Sequence, residues 1–221
     1  MQIDNNKIID AFNRIYEFNH ETSLTSEIAS MEKRLSLKNS NDLQTILESK
    51  RVGLDFIQSA SIVKKAISQI DVIIHAYGIL NLLPSILEQD EIIEYLSLGA
   101  GNSGKDFDLE TNKRIAEFKF INWSGSSDTI RQNTTFKDFF SLVEYQTDKQ
   151  RFLYLLNKDI VLKFLSNNRA IKSVLSRNIK GYEKFIQLHG NKYTTVSEYY
   201  HDKKHLIEII DINDIFPGFI L

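Results

Sequence analysis

Acidic residues and one lysine alternate with apolar residues in the segment that spans residues 104–121. Asp106, Asp108 and Glu110 lie at every second position of its first half. Glu117 and Lys119 do the same in its second half. Since successive side chains of a β-strand point to opposite faces, each set shares one face of a predicted strand. Carboxylates beside a lysine can hold a divalent metal ion and an attacking water, as phosphodiester hydrolysis requires.

An Asn-Lys pair at 112–113 separates the two halves and predicts a two-residue hairpin loop, because asparagine tolerates a positive φ. This register places Asp108 directly opposite Glu117, with Cβ atoms about 5 Å apart. It also places Asp106 opposite Lys119. A register slipped by two residues would instead oppose Asp106 and Glu117, and the sequence leaves that choice open. Facing carboxylates repel each other unless a proton or cation lies between them, and Mg²⁺ needs one or two protein carboxylates.

A hairpin face in contact with water is the competing interpretation of the same pattern. Against it, Ile115 and Ile121 bracket the charged residues of the second predicted strand, and the opposite face of that strand is apolar as well. Other elements usually cover such a strand, and charged residues there are rarely buried unless they are paired or bind a ligand. We therefore favour the metal site.

The composition of the chain sets the frame for any function. With 221 residues, of which 42% are hydrophobic, the chain can build one substantial core and a smaller helical appendage. We expect an N-terminal helical extension at 1–55 and the main domain at 56–221, and a homodimer through the N-terminal helices is a further expectation. The net charge of −2 indicates no overall basic field, although a bound metal ion would supply positive charge at the site itself.

The residue content also disfavours several kinds of site and location. The chain has no cysteine, which excludes disulfides, thiolate zinc sites and a catalytic thiol, and suits a reducing cytoplasm. The five histidines show no metal-binding spacing, and His75 is interpreted as a packing or surface residue. The N-terminus lacks the pattern of a signal peptide, and charged residues interrupt the apolar runs. We therefore expect a cytoplasmic protein that does not bind a membrane.

Hydrophobic periodicity predicts helices in the first third of the chain and strands after it. A long helical segment is predicted from 42 to about 82, followed by a strand at 91–98 and the hairpin. A helix at 128–145 and a strand at 151–156 come next, and short helices with a final strand at 205–212 form C-terminal α/β additions. This order predicts an α/β protein with a central mixed sheet flanked by helices.

The motif and the order of elements together resemble the PD-(D/E)XK nuclease superfamily, whose restriction-endonuclease-like core runs α-β-β-β-α-β. The motif here is Asp106 or Asp108, followed by Glu117-Phe118-Lys119. The proline that often precedes the first acid is absent. By this resemblance the aspartate and Glu117 would bind Mg²⁺, or Mn²⁺ as a substitute, with help from the Phe118 carbonyl. Lys119 would orient the attacking water and stabilise charge at phosphorus.

A second pattern competes for the start of this region. Residues 99–105, GAGNSGK, fit the first seven positions of the phosphate-binding P-loop, but the eighth holds Asp106 instead of serine or threonine. A P-loop should open a helix, whereas the residues after this one alternate as a strand. The P-loop interpretation predicts a nucleotide hydrolase that depends on Lys105, and the glycines otherwise serve as a turn.

Residues beyond the motif offer groups for a nucleic-acid substrate. Trp123 can stack on a base, and Gln132 can hydrogen-bond to one. Arg131 and Lys137 can contact phosphates. Core packing for Trp123 and a solvent-facing helix surface for the others are the alternatives. Basic residues at 169–184 form a modest basic surface that could follow a phosphate backbone.

The chain is thus predicted to be a magnesium-dependent endonuclease that cleaves DNA in restriction, phage defence or repair. The resemblance that supports this prediction covers roughly residues 60–156. Two alternatives stay open beside the P-loop hydrolase. One is a module that keeps the nuclease fold and binds nucleic acid or a partner protein without cleaving. The other is a structural interaction protein that assembles through its helical N-terminus.

Overall fold

The computed structural model describes most of the chain, in six segments. These are residues 4–19, 24–35, 53–99, 104–120, 123 and 128–217. The chain divides into two compact units, Met1–Asp71 and Val72–Leu221. The boundary between the two units therefore falls after residue 71, whereas the predicted domain boundary lies after residue 55. The part of the predicted long helix that precedes residue 53 lies outside the described residues.

The first unit is helical, as its periodicity predicts. Its described helices are α1 (Asn5–Asn19), α2 (Leu24–Leu35) and α3 (Leu54–Ala66). Helices α1 and α3 pack against each other, and the Arg14 guanidinium forms an exposed ion pair with the Asp55 carboxylate between them. A fourth helix, α4 (Ile70–Ile86), begins at the boundary of this unit and runs into the second.

One helical stretch in the described part of the chain, Leu54–Ile86, is long and apolar enough to cross a membrane by length and composition. Its most apolar window has a mean hydropathy of 1.4, and 22% of that window is buried. The core helix of a soluble protein passes the same test of length and composition. The absence of membrane binding and the cytoplasmic location therefore stay predictions.

The second unit is built on one five-stranded mixed sheet flanked by helices, so the α/β class is confirmed. The strands are β1 (Ile93–Leu96), β2 (Leu109–Thr111), β3 (Arg114–Lys119), β4 (Gln150–Leu155) and β5 (Glu208–Asp211). They lie in sequence order, with β1, β2 and β3 antiparallel and β3, β4 and β5 parallel. Helix α5 (Thr129–Val143) connects β3 to β4.

Five shorter helices follow β4 or end the described chain, as the C-terminal periodicity broadly predicts. They are α6 (Lys158–Leu165), α7 (Ile171–Val174), α8 (Ile179–His189), α9 (Val196–Lys203) and α10 (Ile212–Ile215). A 3-10 turn at Lys204–Leu206 precedes β5. From α4 to β4 the elements run helix, three strands, helix and strand, which is the order that the periodicity predicts.

The hairpin of β2 and β3 has the register that a two-residue loop at 112–113 predicts. Leu109 pairs with Ala116 and Glu110 pairs with Ile115. The Asp108 N–H donates to the carbonyl oxygen of Ala116 at 3.0 Å, and Ala116 is already the partner of Leu109, so the regular pairing ends at Leu109. The register slipped by two residues is not formed in β2 and β3, but the regular ladder does not extend to the predicted pairing of Asp108 with Glu117.

The turn itself differs in one respect from the prediction. Asn112 does not have a positive φ, since Asn157 is the single non-glycine residue of the described chain that does. Thr111 closes the turn instead, because its hydroxyl oxygen accepts hydrogen bonds from the N–H groups of Lys113 at 3.0 Å and Arg114 at 2.9 Å. The loop length was predicted correctly, and the conformation attributed to asparagine was wrong.

Alternate residues of the central strands enter hydrophobic cores on opposite sides of the sheet. Ala116 and Phe118 pack with buried residues of α4, such as Ile79 and Leu82. Ile115 packs with the aromatic residues of α5 and the C-terminal helices, a group that includes Phe136, Phe139, Phe140, Phe185 and Tyr199. Because Glu117 and Lys119 have the parity of Ile115, β3 directs them toward the α5 side of the sheet.

Candidate active site at the end of strand β3

Two carboxylates hold the ammonium group of Lys119 at the end of β3. The Lys119 Nζ contacts Glu117 Oε1 and lies 2.8 Å from Asp138 Oδ2. Glu117 is 7% exposed and Asp138 is 6% exposed, so both acids are buried. The Asp138 Oδ2 atom is close to the ammonium group but has no well-directed hydrogen bond from a described residue. The site therefore contains a buried acid with hydrogen-bonding capacity to spare.

The sheet and α5 position these three side chains. Strand β3 has β2 on one side and β4 on the other, and Glu117 and Lys119 lie beside Leu153 and Leu155 of β4. Pairing on both sides fixes the direction of each side chain on β3. Helix α5 begins at the cap residue Asp128 and brings Asp138 to the same face of the sheet.

Burial and like charges make Glu117 unusually difficult to ionise. Burial raises the pKa of the Glu117 carboxyl to about 8, and the charges of Asp138 and Asp108 add to the rise. The ammonium group of Lys119 opposes the rise without cancelling it. In the absence of a further cation, the Glu117 carboxyl therefore keeps its proton to a higher pH than an ordinary glutamate does.

Lys119, by contrast, stays charged. Burial alone would lower the pKa of its ammonium group, but the charges of Asp138 and Glu117 outweigh burial and hold that pKa well above its ordinary value. The site therefore combines one permanent cation with more carboxylates than that cation can neutralise.

Asp108 adjoins this group from the start of the hairpin. Its Oδ2 atom accepts a hydrogen bond from the Phe118 N–H at 3.1 Å, and its Oδ1 atom lies 3.5 Å from His75 Nε2. His75 belongs to α4, which approaches closely because Gly78 has no side chain. A Cβ atom at that position would lie 2.6 Å from the ring of Phe120.

Asp106, the other candidate for the first acid, is not brought to the site. The chain bends through 104–108 before β2 begins at Leu109, and Asp106 is exposed on that bend. Gly104 with φ of +82° and the contact of the Lys105 ammonium with the Glu110 carboxylate accompany this bend. The prediction of a strand that pairs Asp106 with Lys119 was therefore wrong.

The same bend bears on the P-loop interpretation. The residues at 100–103 lie outside the described residues, and the Lys105 ammonium lies 4.9 Å from the ring centroid of Tyr95 in addition to its contact with Glu110. The chain continues into β2 and not into a helix. The helix N-terminus that binds phosphate in a P-loop does not follow this loop, and the P-loop interpretation gains no support.

The residues proposed to contact nucleic acid occupy different environments. Trp123 is 3% exposed and its ring packs against Phe164, with ring centroids 5.6 Å apart. Gln132 is buried and accepts a hydrogen bond from the Arg169 guanidinium. Burial suits the packing role that the sequence left open for Trp123, and its base-stacking role stays a prediction.

Arg131 and Lys137 lie at the surface of α5. The Arg131 guanidinium lies 3.1 Å from the Asp128 carboxylate, and Lys137 is partly exposed. A small cavity of about 40 Å³ lies between α5 and the end of the sheet. Its lining residues include Lys119, Trp123, Arg131, Thr134, Thr135 and Leu155. Arg131 and Lys119 therefore share one cavity, as a phosphate-binding role for both would require.

Three glutamates precede the hairpin, and by the resemblance to the nuclease superfamily one of them could have added a further acid. The Glu91 carboxylate instead forms a paired contact with the Arg114 guanidinium, at 2.6 and 2.7 Å. Lys113 binds Glu88 at 2.6 Å, and Lys149 binds Glu94 at 2.6 Å. The additional acid that contacts Lys119 is Asp138 of α5.

Asp138 and His75 were the residues that sequence reasoning missed. Asp138 interrupts the apolar residues Phe136, Phe139 and Phe140 of α5, and an acid on the apolar face of a helix is a signal that could have identified it. His75 carried no comparable signal, because its contact with Asp108 depends on the approach of α4 to the hairpin.

A hard divalent cation fits the donors that the site offers. The described residues contain no group of three or more His, Asp and Glu side chains spaced to enclose a metal ion. Mg²⁺ does not require one, since it binds through one or two carboxylates and keeps several waters. Asp108, Glu117 and the Phe118 carbonyl offer oxygen atoms that could serve as ligands. Burial raises the pKa of the Glu117 carboxyl, and the charges of Asp138 and Asp108 add to the rise, so a nearby cation would favour its ionised form.

Comparisons with protein-family models, with curated proteins and with solved structures find no match to this chain. The function is therefore argued from the geometry and chemistry of the site.

Proposed function

We propose that the protein is a metal-dependent nuclease, with DNA as its substrate and a restriction-endonuclease-like core formed by α4, the three strands β1 to β3, α5 and β4. The observation that carries this proposal is the buried group of Glu117, Lys119 and Asp138, with Asp108 just before β2. Acids that exceed the charge of one lysine suit the binding of a dication. Lys119 also lines the small cavity beside α5, where a phosphate oxygen could approach its ammonium group.

Asp108 and Glu117 would hold Mg²⁺ or Mn²⁺ together with the Phe118 carbonyl. When bound, the ion would lower the pKa of a water ligand and neutralise charge on the phosphate. Lys119 has an ammonium group that stays protonated, so it serves as an electrostatic partner of the phosphate and orients the water. Asp138 fixes the position of that ammonium group.

A second candidate is a module of the same fold that binds nucleic acid or a partner protein without cleaving. The observation that favours it is the placement of the Lys119 ammonium between Glu117 and Asp138. The charges of these three side chains partly cancel in that arrangement without a metal ion. In that case divalent metal ions would neither bind at Glu117 nor promote cleavage.

Cleavage of plasmid, linear duplex and single-stranded DNA in Mg²⁺ and in Mn²⁺ separates the two candidates. We expect wild type to cleave, and Lys119→Ala to reduce the rate by about 100-fold or more, since the loss of one charge-stabilising group costs on that order. Lys105→Ala is the matched control, because Lys105 pairs with Glu110 outside the site. A well-folded wild type that leaves all three substrates intact would favour the non-cleaving module.

A further inference from the structure

The C-terminal helices carry a charge opposite to that of the rest of the chain. Residues 158–204 contain ten lysines and arginines but four aspartates and glutamates, so their net charge is +6. Because the whole chain has a net charge of −2, the remaining residues carry −8. The near-neutral total therefore conceals a strongly basic segment, and a field of this kind attracts polyanions.

The cations of this segment differ from those of the sheet in how they are used. Between residues 104 and 151, six of the eight lysines and arginines form ion pairs with acids. Around α7 and α8, four exposed cations form no ion pair with any described residue. These four, here called the basic arc, are Lys172, Arg177, Lys180 and Lys184. Unneutralised cations in one short segment repel each other, so a bound anion would stabilise the arrangement.

The basic arc is fixed to the helix that supplies Asp138. Helix α8 packs along α5 through Phe185, whose ring centroid lies 5.3 Å from that of Phe140. At the start of the segment, the Arg169 guanidinium donates to the Gln132 side chain in the first half of α5. Asp138 lies six residues further along α5, about 9 Å at the rise of an α-helix. The basic segment therefore begins close to the candidate active site.

We infer that the basic arc binds the sugar-phosphate backbone of a nucleic acid and holds it beside the Lys119 site. This inference rests on the proposed function, for which it supplies a substrate-binding surface. Lysine and arginine side chains that no acid neutralises are the groups that contact backbone phosphates. Helix α8 also exposes the apolar side chains of Ile179, Ile186 and Leu188, so an anionic membrane is the alternative partner that the test below must exclude.

Binding of a short DNA duplex, measured by fluorescence anisotropy in EDTA so that no cleavage occurs, tests the inference. The test variant combines Lys172→Gln, Arg177→Gln and Lys180→Gln, and leaves Lys184 in place because its ammonium lies 5.9 Å from the ring centroid of Phe140. The matched control combines Lys7→Gln, Lys64→Gln and Lys65→Gln, which removes three exposed charges from the first unit. Circular dichroism checks that both variants keep the wild-type fold.

Salt dependence gives the expected size of the effect. If three phosphate contacts are lost, the affinity of wild type should fall about 40-fold more than that of the test variant between about 50 and about 200 mM salt. The control variant should keep the wild-type affinity and salt dependence. A duplex RNA of the same sequence shows which backbone is preferred, and binding of either nucleic acid through the arc supports the inference.

Three outcomes would overturn it. They are equal affinities of the test and control variants, a well-folded wild type that binds neither duplex, and binding of phosphatidylserine vesicles in place of nucleic acid. The proposed cleavage activity can fail independently, since loss of cleavage with retained arc-dependent binding points to a module that binds without cleaving. If the test variant binds DNA with wild-type affinity and still cleaves it, the basic arc is rejected as the binding surface and the proposed cleavage activity stands.

Discussion

At the scale of single residues, the protonation of Glu117 controls what the candidate site can hold. Its carboxyl is buried beside two other acids, and its pKa is raised from an ordinary value of 4.5 to about 8. The folded protein therefore binds more protons at this group than the unfolded chain does between about pH 4.5 and about pH 8. A dication that replaces the proton would restore the carboxylate.

Glu117→Gln should remove a pH dependence of stability. Because the folded state binds the extra proton, the free energy of unfolding of the metal-free wild type should decrease as the pH rises from about 4.5 to about 8. The decrease should be about 2 to 5 kcal/mol, at about 1.4 kcal/mol for each unit of pKa difference. Urea unfolding in EDTA at several pH values measures it, and an identical slope in wild type and Glu117→Gln would contradict the prediction.

Asp138→Asn should shift the pH dependence of cleavage. The charge of Asp138 helps to raise the pKa of Glu117, so its removal should lower that pKa and move the acidic limb of the pH–rate profile down by about one pH unit. Asp148→Asn, which changes an exposed acid, is the control. A profile that keeps its position in Asp138→Asn while the rate falls would assign Asp138 a purely structural role.

At the scale of secondary-structure elements, the hairpin was the most predictable feature. The two-residue loop at 112–113 and the alternation on either side are local signals, and they predict the register that pairs Leu109 with Ala116 and Glu110 with Ile115. The contact of Asp138 with Lys119 joins residues nineteen positions apart through the packing of α5 on β3, which no local period encodes. The bend at 104–108 was also missed. The alternation of residues there predicts a strand, and it does not show that Lys105 turns to contact Glu110.

A buried ion pair at the other end of β3 stabilises the same three strands. The Glu91 side chain is 0% exposed and the Arg114 side chain is 7% exposed. Thr111 donates a further hydrogen bond to Glu91 Oε1 at 2.6 Å. This network ties Glu91, two residues before β1, to β2 and β3, and so holds the strand that carries Glu117 and Lys119.

Glu91→Gln should therefore destabilise the second unit by about 3 kcal/mol, because it leaves the Arg114 charge buried without its partner. Glu94→Gln is the matched control, since the side chain of Glu94 is 47% exposed and pairs with Lys149 at the surface. Its cost should be below about 1 kcal/mol. Urea unfolding at neutral pH compares the two, and equal costs would show that the Glu91–Arg114 pair contributes no more than a surface pair.

At the scale of the whole molecule, the sequence predicted the α/β class, the mixed sheet and a modest basic surface at 169–184. The net charge of −2 conceals that surface, since residues 158–204 alone carry +6. The net charge of the chain averages over segments that lie apart in the fold. The sequence also does not show which lysines and arginines form ion pairs, as those of the sheet region do. Under the proposed function, the sheet would supply the charged catalytic group, and the C-terminal helices would supply a surface that suits a polyanionic substrate.

The most direct test of the proposed active site is the rate of plasmid cleavage at sub-saturating Mg²⁺. The rate is measured across pH for wild type and for Lys119→Ala. Because a proton on Glu117 competes with the metal ion, the wild-type rate should rise about tenfold per pH unit at acidic to neutral pH and level off near pH 8. Lys119→Ala should cleave about 100-fold more slowly than wild type, or slower still, at every pH. Cleavage that Lys119→Ala retains in full, or a well-folded wild type that cleaves at no pH, would contradict the account.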